Sequence, residues 1–189
     1  MTAAGQGAGS GETGGASFET FDPERHDRTA LSTGVVQVDN FFRKTANKLA
    51  RADNVRVTVL VSPKRELIGF HAINVHAIDY RELPSRFARS RPAHGNIPAA
   101  FISMIGVDQR YQRQGYGGDL LFDCMVRIVR AADVVGIAII VLDVLDCGDS
   151  EQVQRRKSLY QGYGFMPLAS DPLRLFLPVA SARELVNPV

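Results

Sequence analysis

Three glycines, Gly115, Gly117 and Gly118, stand in the stretch RYQRQGYGGDLL, residues 110–121, behind Gln112, Arg113 and Gln114 and ahead of an apolar run. The pattern predicts a loop that turns into a helix. The first N–H groups of a helix have no acceptor inside it. They point outward in a field that favours negative charge, so a phosphate or pyrophosphate suits that position. Glycine lets the backbone turn there and lets an anion approach without meeting a Cβ. Gln112, Arg113 and Gln114 bring further donors to the same place. The candidate anion-binding set is therefore Gln112, Arg113, Gln114, Gly115, Tyr116, Gly117 and Gly118.

Two nucleotide patterns compete for this loop and fail on particular residues. A mononucleotide loop needs Lys and Ser or Thr after its glycines, whereas Asp119 follows Gly118. A dinucleotide loop needs a third glycine where Leu120 stands, and an acid about twenty residues on, where IAIIV runs. Other reactive residue types are scattered. His71 and His76, five apart on one predicted strand, fall on opposite faces and make no metal pair. Together with Asp79, they are candidates for a general base, although a structural role suits each. Asp143 and Asp146 follow an apolar strand and receive no role. Cys124 lies on the apolar side of a helix, which predicts an inert buried thiol. Cys147 sits in a turn, and the two cysteines form neither a metal spacing nor a disulfide framework. That usage fits the cytoplasm.

The elements that position these residues follow from periodicity. Residues 36–52 carry Val38, Phe41, Phe42, Thr45 and Leu49 at helical spacing. Val55, Val57, Val59 and Val61 alternate as in a half-buried strand, and LIGFHAINVHAI after the SPKRE turn completes a hairpin. Residues 79–98, broken by Pro84, Pro92, Gly95 and Pro98, read as an irregular lid or substrate-facing loop. A strand, AAFISMIGVD, leads into the glycine loop. The helix behind it places Leu120, Leu121, Cys124, Ile128 and Ala131 on one side. GIAIIVLDVLD is a central strand by its β-branched content. The helix SEQVQRRKSLYQGYG has Ser150 as its cap and Gly162 or Gly164 at its end, and PLRLFLPV closes the chain as a strand. This order describes an α+β domain over residues 18–189. The strands before and after the crossover helix are expected to be parallel. Residues 1–17, rich in glycine, are expected to be a disordered leader and have no secretory pattern. The longest apolar run, VVGIAIIVL, is too short to cross a bilayer, which takes about 20 residues.

The net charge is only +2, but the bases are clustered. Arg81, Arg86, Arg89 and Arg91 share one stretch, Arg43, Lys44, Lys48 and Arg51 another, and Arg155, Arg156 and Lys157 a third. Such groups attract a polyanion or form a solvated surface.

The segment QRQGYG, Gln112 to Gly117, resembles the acyl-CoA loop of the Gcn5-related N-acetyltransferases, and SLYQGYGFMPL resembles their C-terminal helix-to-strand element. TGVVQVDNFFRKTA and VDQRYQRQGYG are similar to the toxin-like branch of that family. The resemblance covers about residues 18–180. It implies a mixed, mostly antiparallel sheet flanked by helices, with a splayed parallel strand pair that binds acetyl-CoA. In that arrangement Val107 offers backbone groups to the pantetheine arm, and residues 113–118 hold the pyrophosphate. Tyr160 occupies the position of the acid that protonates the departing thiolate. Tyr163, rotated about 300° further round the helix, is expected to face a different side.

For that branch the acceptor is the α-amine of aminoacyl-tRNA, with Arg86 and Arg89 as candidate substrate-binding residues. A ribbon-helix-helix antitoxin is the implied partner, and a homodimer is a further expectation. The chain departs from the branch at three places: STG, Ser32 to Gly34, replaces an Asp-Cys-Gly, Met104 replaces an arginine, and the segment DVLDCGDSEQVQRRKS is longer than usual. A small amine or a peptide N-terminus therefore stays open as acceptor. A non-enzymatic RNA-binding or regulatory domain would use the basic clusters without the glycine loop or Tyr160.

Overall fold

The computed structural model describes residues 15–88 and 95–187. The expected leader lies largely outside that range. Its last residue, Ser17, opens the first strand, β1 (Ser17–Thr20), by pairing with Val61, so the folded chain begins earlier than expected. Arg89, Arg91 and Pro92 also lie outside the described residues.

The sheet has seven strands in the order β1-β2-β3-β4-β5-β7-β6. β2 (Arg56–Val61) and β3 (Leu67–Asp79) form the expected antiparallel hairpin. β4 (Asn96–Val107) pairs antiparallel with β3 and parallel with β5 (Ile139–Asp143), as the crossover rule predicts. β6 (Met166–Pro167) and β7 (Arg174–Pro178) complete the far edge. β2 is not half-buried: Thr58 and Leu60, on its second face, are as buried as the valines because helices cover both faces of the sheet.

The proline-broken segment is more regular than its composition predicts. β3 runs to Asp79, a short 3-10 turn and α3 (Ser85–Ala88) follow, and β4 already starts at Asn96. Pro98 lies inside β4, opposite Ala77. Its carbonyl accepts the Ala138 N–H, so its ring nitrogen also faces the β5 side. Strand pairing there begins only at Ala99 and Ile139, so the missing N–H breaks no ladder bond.

Helices cover both faces. On one, α1 (Val36–Asn40), a π-helical turn (Phe41–Thr45) and α2 (Ala46–Arg51) form the expected N-terminal helical run. Phe42 stacks on Phe70 of β3 with ring centroids 4.3 Å apart. On the other face, α4 (Tyr116–Ala132) buries Leu120, Leu121, Cys124, Met125, Ile128 and Val129. Ala131, expected in that stripe, is exposed. Its neighbour α6 (Val179–Val186) shares this core through Val179 and Ala182 and had no counterpart in the sequence reading. A polar clamp also holds α4 to β3. His71, fully buried, lies 2.7 Å from the Asp123 carboxylate, which Arg127 bonds too. Burial alone would raise the Asp123 pKa, but the hydrogen bonds from His71 and Arg127 hold it below the usual carboxylate range.

α5 (Ser150–Gly162) is capped by Asp149 rather than Ser150: the Asp149 carboxylate accepts the N–H groups of Glu151 and Gln152. The helix ends before Gly164, whose φ of +87° turns the chain into β6.

Where α1 crosses β4 the contact has no spare space. A Cβ on Gly106 would lie 2.7 Å from Val38 and 2.8 Å from Phe70. Gly106→Ala is therefore expected to destabilise the fold by about 1–3 kcal/mol through overpacking, measured as a lower urea midpoint with an unchanged slope.

Candidate active site

The parallel pairing of β4 and β5 stops at Ile102 and Leu142. β4 continues to Val107, so beyond Ile102 its β5-facing edge has no strand partner among the described residues. Ser103 is the extra residue of a β-bulge: Ala72 pairs with Met104 and Ile73 with Ile102, and the Ser103 hydroxyl donates to the Ala72 carbonyl. A bulge bends its strand and increases its twist. Here it turns β4 away from β5 and opens a wedge.

A cleft of about 830 Å³ fills that wedge. Val35, Val38, Met104 and Leu145 line it from the α1 side, whereas Ile105, Leu159, Tyr160 and Tyr163 line it from the α4 and α5 side. The cleft thus passes through the sheet between the splayed strands.

The glycine loop closes one end. Gly115 has φ +91°, a conformation that glycine adopts freely, and caps α4. The first N–H groups bonded within the helix are those of Gly118 and Asp119, both on the Gly115 carbonyl. The N–H groups before them are the donors that the start of a helix presents to an anion. Arg113, Gly115, Gly117 and Gly118 all line the cleft. Two side chains expected to serve an anion are engaged elsewhere: Gln114 donates to the Arg110 carbonyl, and Gln112 to the carbonyls of Thr33 and Val107. Tyr116 packs edge-on to Tyr111, with centroids 6.2 Å apart. Val107 sits at the free end of β4, on the cleft.

Tyr160 lines the cleft from α5 and packs edge-on against Phe165. Burial pushes its phenol up to about 12, against a downward pull from Arg156. It therefore keeps its proton at neutral pH, as a proton donor must. Tyr163 lines the same cleft, contrary to the expectation. A turn of 300° equals 60° backward, so residues three apart share a helix face. Its hydroxyl lies 2.8 Å from where a Gly118 Cβ would stand, so the start of α4 and the end of α5 meet closely only because position 118 is glycine.

Other candidates fall outside. His71 belongs to the clamp on α4, and His76 packs near Phe101, with ring centroids 5.4 Å apart. Asp79 is bonded to Arg81, and Asp143 is held by both nitrogens of a bidentate contact with Arg174. Asp143 nevertheless lines the cleft. Cys124 is buried, which pushes its thiol up. Cys147 accepts a hydrogen bond from Arg156 at 3.2 Å, which pulls its thiol below the ordinary value. Arg86 is not in the cleft. It lies over the Phe87 ring, beside Met166, on a second groove whose wall is the back of Tyr163. Arg89 is outside the described residues. The sequence reading missed Thr33, Val35 and Leu145, since only the strand splay brings them to the glycine loop.

No family model matches the chain. A probable toxin TacT of Sinorhizobium fredii is 59% identical over 171 residues, 90% of this chain and 94% of that protein. A tRNA-acetylating toxin of Mycobacterium tuberculosis is 29% identical over 161 residues, 85% of this chain and 91% of its own. Among solved structures, AtaT complexed with acetyl-methionyl-tRNAfMet superposes with a TM-score of 0.79 at 21% identity, covering 91% of this chain and 99% of AtaT. AtaTR bound with AcCoA gives 0.75 at 21% identity, covering 91% of this chain and 98% of its own. At that identity the solved structures carry the fold alone. Sheet order, splayed pair and glycine loop define an acetyltransferase of the Gcn5-related type. The chain belongs to the toxin branch of the Gcn5-related N-acetyltransferase family.

Gly117 gives the direct test of the loop. A Cβ there would make only an ordinary 3.6 Å contact with Leu159, so a side chain at this cleft-lining position starts without a clash. Gly117→Phe is expected to leave the melting temperature within a few degrees of wild type and to weaken acetyl-CoA binding about tenfold or more by calorimetry.

Proposed function

We propose that this chain transfers the acetyl group of acetyl-CoA to the free α-amine of aminoacyl-tRNA, as the toxin of a toxin–antitoxin pair. The observation that carries the reading is one cleft between the splayed strands that is lined both by the glycine loop at the start of α4 and by a phenol that keeps its proton at neutral pH. The 59% identical probable toxin and the tRNA-acetylating relative support the choice of acceptor.

Each part of the cleft has a task. The N–H groups of residues 113–117 and the positive end of α4 hold the pyrophosphate of acetyl-CoA. The unpaired edge of β4, ending at Val107, offers N–H and C=O groups to the pantetheine amides, as a missing strand would. The splay admits the thioester to the level of Tyr160. The acceptor amine reaches it from the side lined by Val35, Val38, Met104 and Leu145. That wall is apolar, so it aligns the amine rather than deprotonating it. Alignment alone supplies a large part of such a rate, and an aminoacyl amine, with a pKa of about 7.7–8.0, is substantially neutral near pH 7.5. The nitrogen forms its bond to the acetyl carbon, the carbon–sulfur bond breaks, and Tyr160 gives its proton to the leaving sulfur. The proton lost by the amine goes to solvent, from which Tyr160 is reprotonated.

The tRNA backbone needs positive charge beside this mouth. Arg155, on α5, lines the cleft, and Lys44, Lys48 and Arg51 are exposed on the α1–α2 run. Contacts of this kind weaken steeply with salt. The reading includes a ribbon-helix-helix antitoxin as the neutralising partner, a homodimer as the assembled state, and the cytoplasm, where charged tRNA is found. No helix among the described residues is long and apolar enough to cross a membrane.

Radiolabelled acetyl-CoA supplied to charged tRNA, and separately to polyamines, free amino acids and short peptides, tests the acceptor. Label on the aminoacyl group, released by deacylation, is the expected result. Label on a small amine or peptide with none on charged tRNA would move the chain to the other acceptor class, and no transfer to any amine would leave an RNA-binding role. Tyr160→Phe is expected to keep acetyl-CoA affinity and to slow transfer about 10²–10⁴-fold where chemistry limits the rate. In the wild type, kcat/KM for the acceptor should rise as its amine loses a proton, then stay level through pH 9–10. A fall in that range would mean that a group other than a phenol near 12 supplies the proton.

A further inference from the structure

Gln112 stands beside the anion loop, yet both of its side-chain N–H donors are committed. A side-chain amide nitrogen carries two hydrogens. In Gln112 that nitrogen lies 2.8 Å from the Thr33 carbonyl and 3.0 Å from the Val107 carbonyl, across 79 and 5 residues of sequence. Its remaining polar atom is the amide oxygen, an acceptor, which would repel a phosphate rather than hold one.

What the amide joins is more telling. Val107 ends the splayed strand, and Thr33 lines the facing wall of the same cleft. Thr33 is itself tied to α1, since its N–H and hydroxyl donate to the Asp39 carboxylate at 2.8 and 2.7 Å. Val35 and Val38, the cleft-facing residues of that segment, lie between the two ends of this attachment. Next to Thr33, the Ser32 N–H donates to Asp108 and the Ser32 carbonyl accepts the Gln109 N–H, both from the approach to the glycine loop. Gly34 carries the chain through this point at φ +78°, a left-handed conformation that glycine adopts freely. The acceptor wall and the acetyl-donor loop are thus stitched together, with Gln112 as the cross-member inside the cleft.

We infer that Gln112 is a positioning residue for acetyl transfer: it sets the distance between the wall that receives the amine and the loop that holds acetyl-CoA, and it does not bind the phosphate through its side chain. The inference rests on the proposed acetyl transfer and names the residue that aligns its two reactants. Misplacement of about 1 Å at a reacting pair costs on the order of 10²-fold, so a lost tether appears in acceptor kinetics before it appears in donor binding.

The experiment compares wild type, Gln112→Ala and Gln112→Arg. Arginine keeps several N–H donors on a longer side chain and can serve both carbonyls. Three quantities are read: acetyl-CoA affinity by calorimetry, kcat and KM for charged tRNA at saturating acetyl-CoA, and amide hydrogen exchange across residues 32–35. With alanine, acetyl-CoA affinity should stay within about threefold of wild type. The acceptor kcat/KM should fall about 10–100-fold, and exchange at 32–35 should accelerate. Arginine should recover most of both losses. Weakening of acetyl-CoA by tenfold or more, with acceptor kinetics intact, would overturn the inference and return Gln112 to the phosphate. No change in any of the three would overturn it as well. Should wild type label no charged tRNA, the proposed function fails by itself. The tether is then judged on exchange and affinity: faster exchange with unchanged affinity retains it, and unchanged exchange removes it.

Discussion

The Asp108 carboxylate is the fixed point of the molecule. It is 2% exposed and lies where β4 ends. One oxygen accepts the Ser32 N–H, while the other accepts the backbone N–H and the side chain of Arg110. Its own N–H donates to the Ile68 carbonyl of β3. Burial pushes such a carboxyl up, but these hydrogen bonds hold it below the usual carboxylate range, so it stays charged in the folded chain. A buried charge left without partners is strongly destabilising. The backbone of Ser32, the turn at 109–111 and the hairpin must therefore arrive together. The glycine loop inherits its position from that requirement, since it leaves directly from the Asp108 turn.

From this anchor the sheet does something most sheets avoid. An unpaired strand edge exposes N–H and C=O groups, a liability that proteins manage by covering or shortening the edge. β4 keeps such an edge in the interior of the sheet, because the bulge at Ser103 steers it away from β5. In the proposed reaction the backbone is the binding surface, and few side chains are needed to recognise a long, flexible donor. That fits a cleft lined largely by aliphatic residues and glycine.

Much of this was legible in the residues. Gly115 to Gly118 followed by Leu120 and Leu121 marked the loop and its helix, and the run Ile139 to Leu142 marked the central strand. The parallel relation of the strands on either side of α4 followed from chain handedness alone. Tyr160 was legible only through its place in SLYQGYGF. What stayed hidden depends on contacts between distant segments. Pro98 read as a break because its alignment with the end of β5 cannot be seen from its neighbours. Gln112 and Gln114 read as anion donors because residue type shows capacity to donate, not the acceptor already taken. Tyr163 was misplaced by a reading of helical rotation that the side-by-side arrangement of residues three apart corrects. Thr33 and Val35 had no local signature at all.

α5 carries Tyr160 and yet fully buries none of its thirteen residues. Its hold on the domain comes from the edges of Val153, Leu159, Tyr160 and Tyr163 and from Arg156 reaching the Leu145 carbonyl. Most changes on its outer face therefore touch neither the core nor the sheet. The helix proposed to bring the phenol to the thioester is thus held by few side chains, so the charge around the mouth of the cleft can change at little cost to the fold.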